Sequence, residues 1–157
     1  MNPNTEFELF TRHIYQKLVN NDILKPTLVQ HNVKLKGKSG CEHQIDVYWE
    51  YEIAGNKHRV AIECKNYNSL VPIGKVRDFK GVLDDLNNVN GIMVSSKGFQ
   101  AGAKKYAKEH GTVHTKPGEF KDELGNTYEK PVFDRYEQDN PNEYRLIIID
   151  TINLIDT

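Results

Sequence analysis

Asp46, Glu63 and Lys65 are the residues of this chain whose types and spacing best suit chemistry. They fall in residues 41–67, where two runs rich in β-branched and aromatic residues flank Gly55-Asn56, a pair tolerant of the positive φ of a tight hairpin turn. With that pair as the tip, Val47 faces Cys64, Trp49 faces Ile62 and Tyr51 faces Val60, so one side of the hairpin is almost wholly apolar. On the other side Glu52 faces Arg59, Tyr48 faces Glu63 and Asp46 faces Lys65. The register that buries the apolar set thus gathers two carboxylates and an ammonium, and a slip of one residue would scatter them. Carboxylate oxygens are the hard ligands Mg²⁺ prefers, with waters and substrate phosphate oxygens completing its shell. The bound ion acidifies a water and neutralises charge on a phosphoryl group, and Lys65 would hold or activate that water. Taken alone, Asp46 and Lys65 would equally make an ordinary cross-strand ion pair on a solvated face.

The flanking segments must position this end of the hairpin. The chain opens with a helix that Asn4 or Thr5 can cap, with Glu6 and Glu8 in its first turns and Phe7, Phe10, Ile14 and Leu18 spaced along one buried face, ending near Asn20-Asn21. Glu8, next to Phe7, points either at the core edge and the hairpin site or at solvent as a helix-dipole acid. Residues 27–35 alternate as a strand, and Lys36-Gly37-Lys38-Ser39-Gly40 follow as a flexible loop. With Lys34, the loop's Lys36 and Lys38 form a local basic patch suited to tracking a phosphate backbone, although a solvated loop has the same composition. Its spacing is not that of a P-loop.

After the hairpin, Val71-Pro72 starts a helix whose apolar positions Ile73, Val76, Phe79 or Lys80, Leu83 and Leu86 keep a helical period to Asn87-Asn88. Residues 90–96 read as a buried strand. Residues 98–110 read as a second helix, with Phe99, Ala103, Tyr106 and Ala107 inward, Lys104, Lys105 and Lys108 outward, and Gly111 closing it. Thr112-Val113-His114 begin a further strand. Strands alternating with helices predict right-handed crossovers and a mixed sheet with the antiparallel hairpin on one side. Residues 115–143 carry turn signals at Pro117-Gly118, Gly125-Asn126 and Asp139-Asn140-Pro141 and read as one or two surface hairpins. Residues 144–150, apolar from Leu146 to Ile149, return to the core as a strand.

Composition narrows the classes. At 157 residues and 38% hydrophobic content, one globular domain is expected. A formal charge of −1 supplies no overall basic field, so contact with a polyanion must rest on local patches. No secretory leader is evident and Cys64 falls on the apolar side of its strand, so Cys41 and Cys64 read as reduced thiols of a cytoplasmic protein. No stretch is long and apolar enough to span a membrane. The six histidines show no zinc-site spacing, and Cys64 on an apolar face is not a nucleophile in waiting.

Several short motifs, in order, carry a resemblance. Phe7-Glu8 in the opening helix, Gly40 before Gln44-Ile45-Asp46, then Glu63-Cys64-Lys65, Val76, Phe79 and Gly81, Gly91-Ile92 with Ser95-Ser96, and Gly98-Phe99 with Ala103 and Tyr106-Ala107 resemble the Mrr-type branch of the restriction-endonuclease-like, or PD-(D/E)xK, nuclease superfamily. The resemblance runs from about residue 5 to about residue 115. It implies an α/β restriction-endonuclease-like fold, a mixed central β-sheet flanked by α-helices, spanning 1–157 as one domain, with a core at 5–115 and a β-rich C-terminal extension at 116–157. It implies an endonuclease that hydrolyses DNA phosphodiester bonds with Mg²⁺, for which Mn²⁺ can substitute. Carried over by position, Asp46 and Glu63 would bind the metal with the Cys64 backbone carbonyl, Lys65 would orient the nucleophilic water, and Glu8 matches the helix acid that completes such sites. Gln44 would touch substrate or a metal-bound water, and Lys34, Lys36 and Lys38 would contact DNA. Ile45 stands where the superfamily has its proline, and Glu63 where Mrr-type proteins often have glutamine. A module of this kind without a DNA-reading domain would need a separate specificity partner, and a symmetric homodimer to cut both strands. The alternative is a non-catalytic module on the same fold that binds nucleic acid or protein and keeps the acids for stability; cleavage of RNA is a further reading.

Overall fold

The computed structural model describes residues 2–22, 27–53, 55–110, 116–121, 127–132, 146–149 and 154–155. Helix α1 (Pro3–Asp22) leads into the meander β1 (Gln30–Lys36), β2 (Glu42–Ile53) and β3 (Asn56–Lys65). Helix α2 (Ile73–Leu86), strand β4 (Asn90–Ser95) and helix α3 (Ala101–Glu109) follow, and then β5 (Lys116–Lys121), β6 (Thr127–Val132), β7 (Leu146–Ile149) and β8 (Leu154–Ile155). The main sheet has the order β1-β2-β3-β4-β7, and β5, β6 and β8 form a second, three-stranded sheet. The pairs β1–β2 and β2–β3 are antiparallel, whereas β3–β4 and β4–β7 are parallel. The expected mixed sheet is therefore present. The strand placed beside β4 is β7, from the apolar run 146–149. The strand expected from Thr112 to His114 and the cap at Gly111 lie outside the described residues, as does the turn at Gly125-Asn126.

Two apolar layers sandwich the sheet. On one face α1 contributes Ile14, Tyr15 and Val19, which pack with Val47, Trp49, Val60, Ile62, Ile92 and Val94. Tyr15 and Trp49 stack with ring centroids 5.5 Å apart. On the other face α2 and α3 bring Val76, Phe79, Leu83, Leu86, Ala103 and Ala107 against Tyr48, Ala61 and Met93. Strand β4 is covered on both sides, which is why it reads as a continuous apolar run and not an alternating one. Fully burying a side chain such as Ile62 or Met93 contributes about 1.5–3 kcal/mol.

Three local expectations are corrected. Helix α1 starts earlier and is capped by Asn2, whose Oδ1 accepts the Asn4 N–H at 2.8 Å. Its buried face carries Thr11, Ile14, Tyr15 and Val19, while Phe10 is 36% exposed. The seating of α1 on the sheet, and not hydrophobicity residue by residue, decides which side is covered. The second helix begins at Ala101, because Val71 and Phe99 form a parallel bridge that keeps Phe99 and Gln100 out of the helix. Val71 donates to the Gly98 carbonyl and Gln100 donates to the Val71 carbonyl, both at 2.9 Å. The hairpin register is also shifted: Val47 pairs with Ile62, Trp49 with Val60 and Tyr51 with His58. The tip accordingly lies one residue earlier, with Gly55 at φ +80°.

Close packing of α2 on the sheet leaves no room at Gly91. A Cβ there would lie 2.2 Å from Leu83 Cδ1 and 2.9 Å from Leu83 Cδ2, and Leu83 is itself buried. Gly91→Ala is expected to lower stability by about 1–3 kcal/mol, read as a reduced urea midpoint at unchanged slope.

Candidate active site

The site is built where the strand ladder breaks. Strands β2 and β3 pair as far as Val47–Ile62; one residue on, the Asp46 Oδ2 accepts the Cys64 backbone N–H at 2.8 Å, so a carboxylate occupies the place of the next ladder acceptor. Pairing of β1 with β2 likewise skips the Asn32–Asp46 position. Asn32 has φ +58°, the left-handed region that asparagine tolerates better than most residues. On either side of this point the odd-numbered residues serve different layers. Val29 and Val47 pack with α1, whereas Val33, Leu35 and Ile45 pack with α2 and α3. The outer half of the β1–β2 hairpin thus leaves the plane of the sheet and lies over the α2 side, and Asp46 sits at the bend.

Around Asp46 the charges are predominantly negative. Burial, then the Glu63 carboxylate and, less strongly, Glu8, raise its carboxyl from the ordinary 3.8 to about 7, against the opposing pull of the Cys64 N–H and Lys65. Lys65 Nζ lies 2.8 Å from Glu63 Oε1 and 5.8 Å from the centroid of the Tyr67 ring, within cation–π range. Burial acts to lower the Lys65 pKa, but the Glu63 carboxylate outweighs it and holds the ammonium above its ordinary value. Burial, then the Asp46 charge, push the Cys64 thiol well up, which leaves it an inert packing group against the α1 layer. Glu8 reaches the site from α1, where its Oε2 meets His31 Nε2 at 2.8 Å.

Of the residues singled out from the sequence, the fold brings Glu63, Lys65 and Glu8 within electrostatic range of Asp46. The shifted register sets Asp46 beside Cys64 and Glu63, with Lys65 paired to Glu63 in place of the expected cross-strand contact with Asp46. Gln44 is exposed, and its amide donates to Asn32 Oδ1 at 2.5 Å. Lys34, Lys36 and Lys38 are exposed. Their loop is pinned rather than loose, because Asp85 accepts from Ser39 N at 2.9 Å and Ser39 Oγ at 2.7 Å and lies 2.6 Å from His43 Nε2. The Lys38 N–H also donates to the Asp85 carbonyl at 2.7 Å. His43, then Ser39, draw the Asp85 carboxyl down to about 2. Gly37 is required here, since any Cβ would collide with the Asp85 carboxylate. Asp85 lies in the last turn of α2, so the lysine loop is fastened to the C-terminal end of that helix. His31, Asn32 and Tyr67 are site residues that the sequence reading passed over. None carries a motif signal; only the fold brings them in.

Among the described residues no group of three or more His, Cys, Asp and Glu side chains is close enough to form a ready-made metal cage. The donor chemistry nonetheless fits a hard cation held by few protein ligands, because the Asp46 and Glu63 carboxylates lie near each other, and burial, then the Glu63 charge, raise the Asp46 carboxyl.

The Mrr catalytic-domain family, described as a restriction endonuclease, matches residues 2–119. No curated protein matches the chain significantly. One solved structure, that of the protein of unknown function AF1548, matches with a TM-score of 0.50 at 22% identity, over 65% of this chain and 53% of that one. The chain thus spans about half the length of that protein, and the likeness shows a shared fold. The family match takes in the whole of α1 through β4, including Glu8, Asp46, Glu63 and Lys65. The mixed sheet flanked by three helices is the restriction-endonuclease-like architecture, and the chain belongs to the Mrr-type restriction-endonuclease family.

Proposed function

We propose that the chain, as a single domain, is a metal-dependent endodeoxyribonuclease that hydrolyses phosphodiester bonds of DNA. The observation that carries this reading is Asp46, a half-buried carboxyl raised to about 7 by burial and by Glu63 and Glu8, with the Lys65 ammonium alongside. A site with excess negative charge and one cation of its own is suited to a second, divalent cation. Asp46, Glu63 and the Cys64 backbone carbonyl would hold Mg²⁺ or Mn²⁺, with Glu8 completing the shell. The ion would supply an acidified water and charge neutralisation at the phosphate. Lys65 would orient the attacking water and offset negative charge on the phosphate. Gln44 touches the substrate beside Asp46, and Lys34, Lys36 and Lys38 contact backbone phosphates away from the scissile bond. A homodimer would place two such sites on opposite strands, or a separate specificity partner would direct the one, in a cytoplasmic setting. Among the described residues no helix is long and apolar enough to cross a membrane.

Asp46 must lose its proton to bind a cation, and its raised pKa keeps it protonated below about 7. Mn²⁺ affinity, measured by calorimetry, is expected to be flat above pH 7.5 and to fall roughly tenfold per pH unit below 7. Affinity that is constant from pH 5 to 8 would remove Asp46 from the ligand set.

The second reading, a non-catalytic binding module, has one observation in its favour: Glu8 and Glu63 are each already satisfied, by His31 and Lys65. Calorimetry separates the two. Binding of Mn²⁺ by the parent and its loss in Asp46→Ala, with the fold retained, supports the nuclease; no binding in the parent, even with DNA present, supports the module.

A further inference from the structure

The Glu8–His31 contact joins α1 to β1 and has no part in the roles assigned above to Asp46, Glu63 and Lys65. Its two side chains are about equally covered, at 21% and 22% exposure, and the Nε2–Oε2 distance is 2.8 Å. The imidazole takes one carboxylate oxygen, Oε2, and leaves Oε1. His31 pairs across β1–β2 with Val47, the residue after Asp46, and precedes Asn32, whose left-handed backbone marks the change of layer. One backbone irregularity therefore sets both His31 and Asp46. Glu8 is close enough for its charge to be felt at Asp46.

We infer that His31 is a positioning residue that fixes the Glu8 carboxylate at the rim of the Asp46–Glu63 pair, so that Glu8 presents Oε1 to a divalent cation there or to a water in its shell. The inference rests on the nuclease reading, because the cation is the one that reading requires. Groups that orient a ligating carboxylate commonly account for a 10- to 100-fold difference in metal affinity. An ordinary ion pair tying α1 to β1 would instead affect stability alone.

A thermodynamic cycle on the full chain distinguishes these. Mn²⁺ binding is measured by calorimetry at pH 8 in the parent, His31→Ala, His31→Gln, Glu8→Gln and the Glu8→Gln/His31→Ala double variant, with a thermal melt of each. His31→Leu, which keeps bulk without a donor, replaces His31→Ala if the latter does not fold. Removal of the imidazole is expected to weaken Mn²⁺ binding about 10- to 100-fold. His31→Gln, which keeps an N–H donor, should recover most of it, and in the Glu8→Gln background the loss of His31 should have no further effect. Unchanged Mn²⁺ affinity in His31→Ala, or an equal loss with and without Glu8, overturns the inference and leaves the metal reading standing. A parent chain that binds no Mn²⁺ at all overturns the metal reading, and this inference with it.

Discussion

Asp46→Asn is expected to abolish DNA cleavage and, in the same protein, to stabilise the cation-free fold. The amide keeps an oxygen to accept the Cys64 N–H, which Asp46 now accepts at 2.8 Å, but it cannot carry the charge a divalent cation needs. Loss of an electrostatic group at the reacting phosphate costs about 10²–10³ in rate, and loss of a direct metal ligand should cost at least that much. The stability gain follows from linkage. In the fold the carboxyl is raised from 3.8 to about 7, so the folded state favours its neutral form. That contribution is fully present below the ordinary value and is lost as pH rises through about 7, above which ionised Asp46 opposes folding. A shift of this size corresponds to about 4 kcal/mol, and partial exposure of the group reduces the working figure to about 2 kcal/mol. In EDTA, urea melts of Asp46→Asn and the parent should coincide near pH 3.5 and diverge to that extent by pH 8. A variant that is inactive yet no more stable at pH 8 would mean that Asp46 is not held against its neighbours as described.

Lys65→Ala is expected to lower cleavage by about 10²- to 10⁴-fold, the range for a positioned group that handles the attacking water, while Mn²⁺ binding above pH 8 survives. Its effect on stability should have the opposite sign to that of Asp46→Asn. The ammonium lies 2.8 Å from Glu63 Oε1, is 18% exposed, and helps to keep Asp46 ionised. Without it two half-buried carboxylates face each other uncompensated, and the cation-free protein should melt earlier at pH 8 than the parent. Lys65→Ala and Asp46→Asn thus agree in activity and disagree in stability, a combination that general damage to the fold cannot produce. Single-turnover cleavage with saturating Mn²⁺, beside melts in EDTA, reads both quantities.

The period-2 pattern of β2 and β3 and the 3.6-residue period of α2 were enough to place the sheet, the covering helix and the acid cluster. The hairpin slipped by two residues relative to expectation, and the reason is parity. A two-residue slip keeps every side chain on its face, so Val47, Trp49, Val60 and Ile62 are buried in either register, and a glycine at the tip is consistent with both. The acid cluster survived the slip for the same reason, although its individual pairings changed. The change of layer at Asn32 and Asp46 is a backbone event, so the alternation of Ile45 with Val47 conceals that they face different helices. On α1 a threonine is fully covered while Phe10 stays at the surface, an outcome of helix placement that hydrophobicity could not foretell. The Glu8–His31 and His43–Asp85 contacts join residues distant in sequence, with no local motif to announce them. The same holds for the placement of β7 beside β4, which depends on the tertiary course of the chain and not on the apolar run itself.

We expect this chain to cut DNA with a divalent cation held at Asp46. The most direct measurement incubates the purified full chain with supercoiled, linear and single-stranded DNA in Mg²⁺, Mn²⁺ or EDTA, beside Asp46→Asn and Lys65→Ala proteins shown to be folded. If Asp46 holds the cation, the parent cuts at least one form in Mg²⁺ or Mn²⁺ and none in EDTA, Asp46→Asn cuts none, and Lys65→Ala cuts at least about 10²-fold more slowly. Cleavage that persists in EDTA or in Asp46→Asn, or a parent that cuts no form of DNA in either metal, would contradict it.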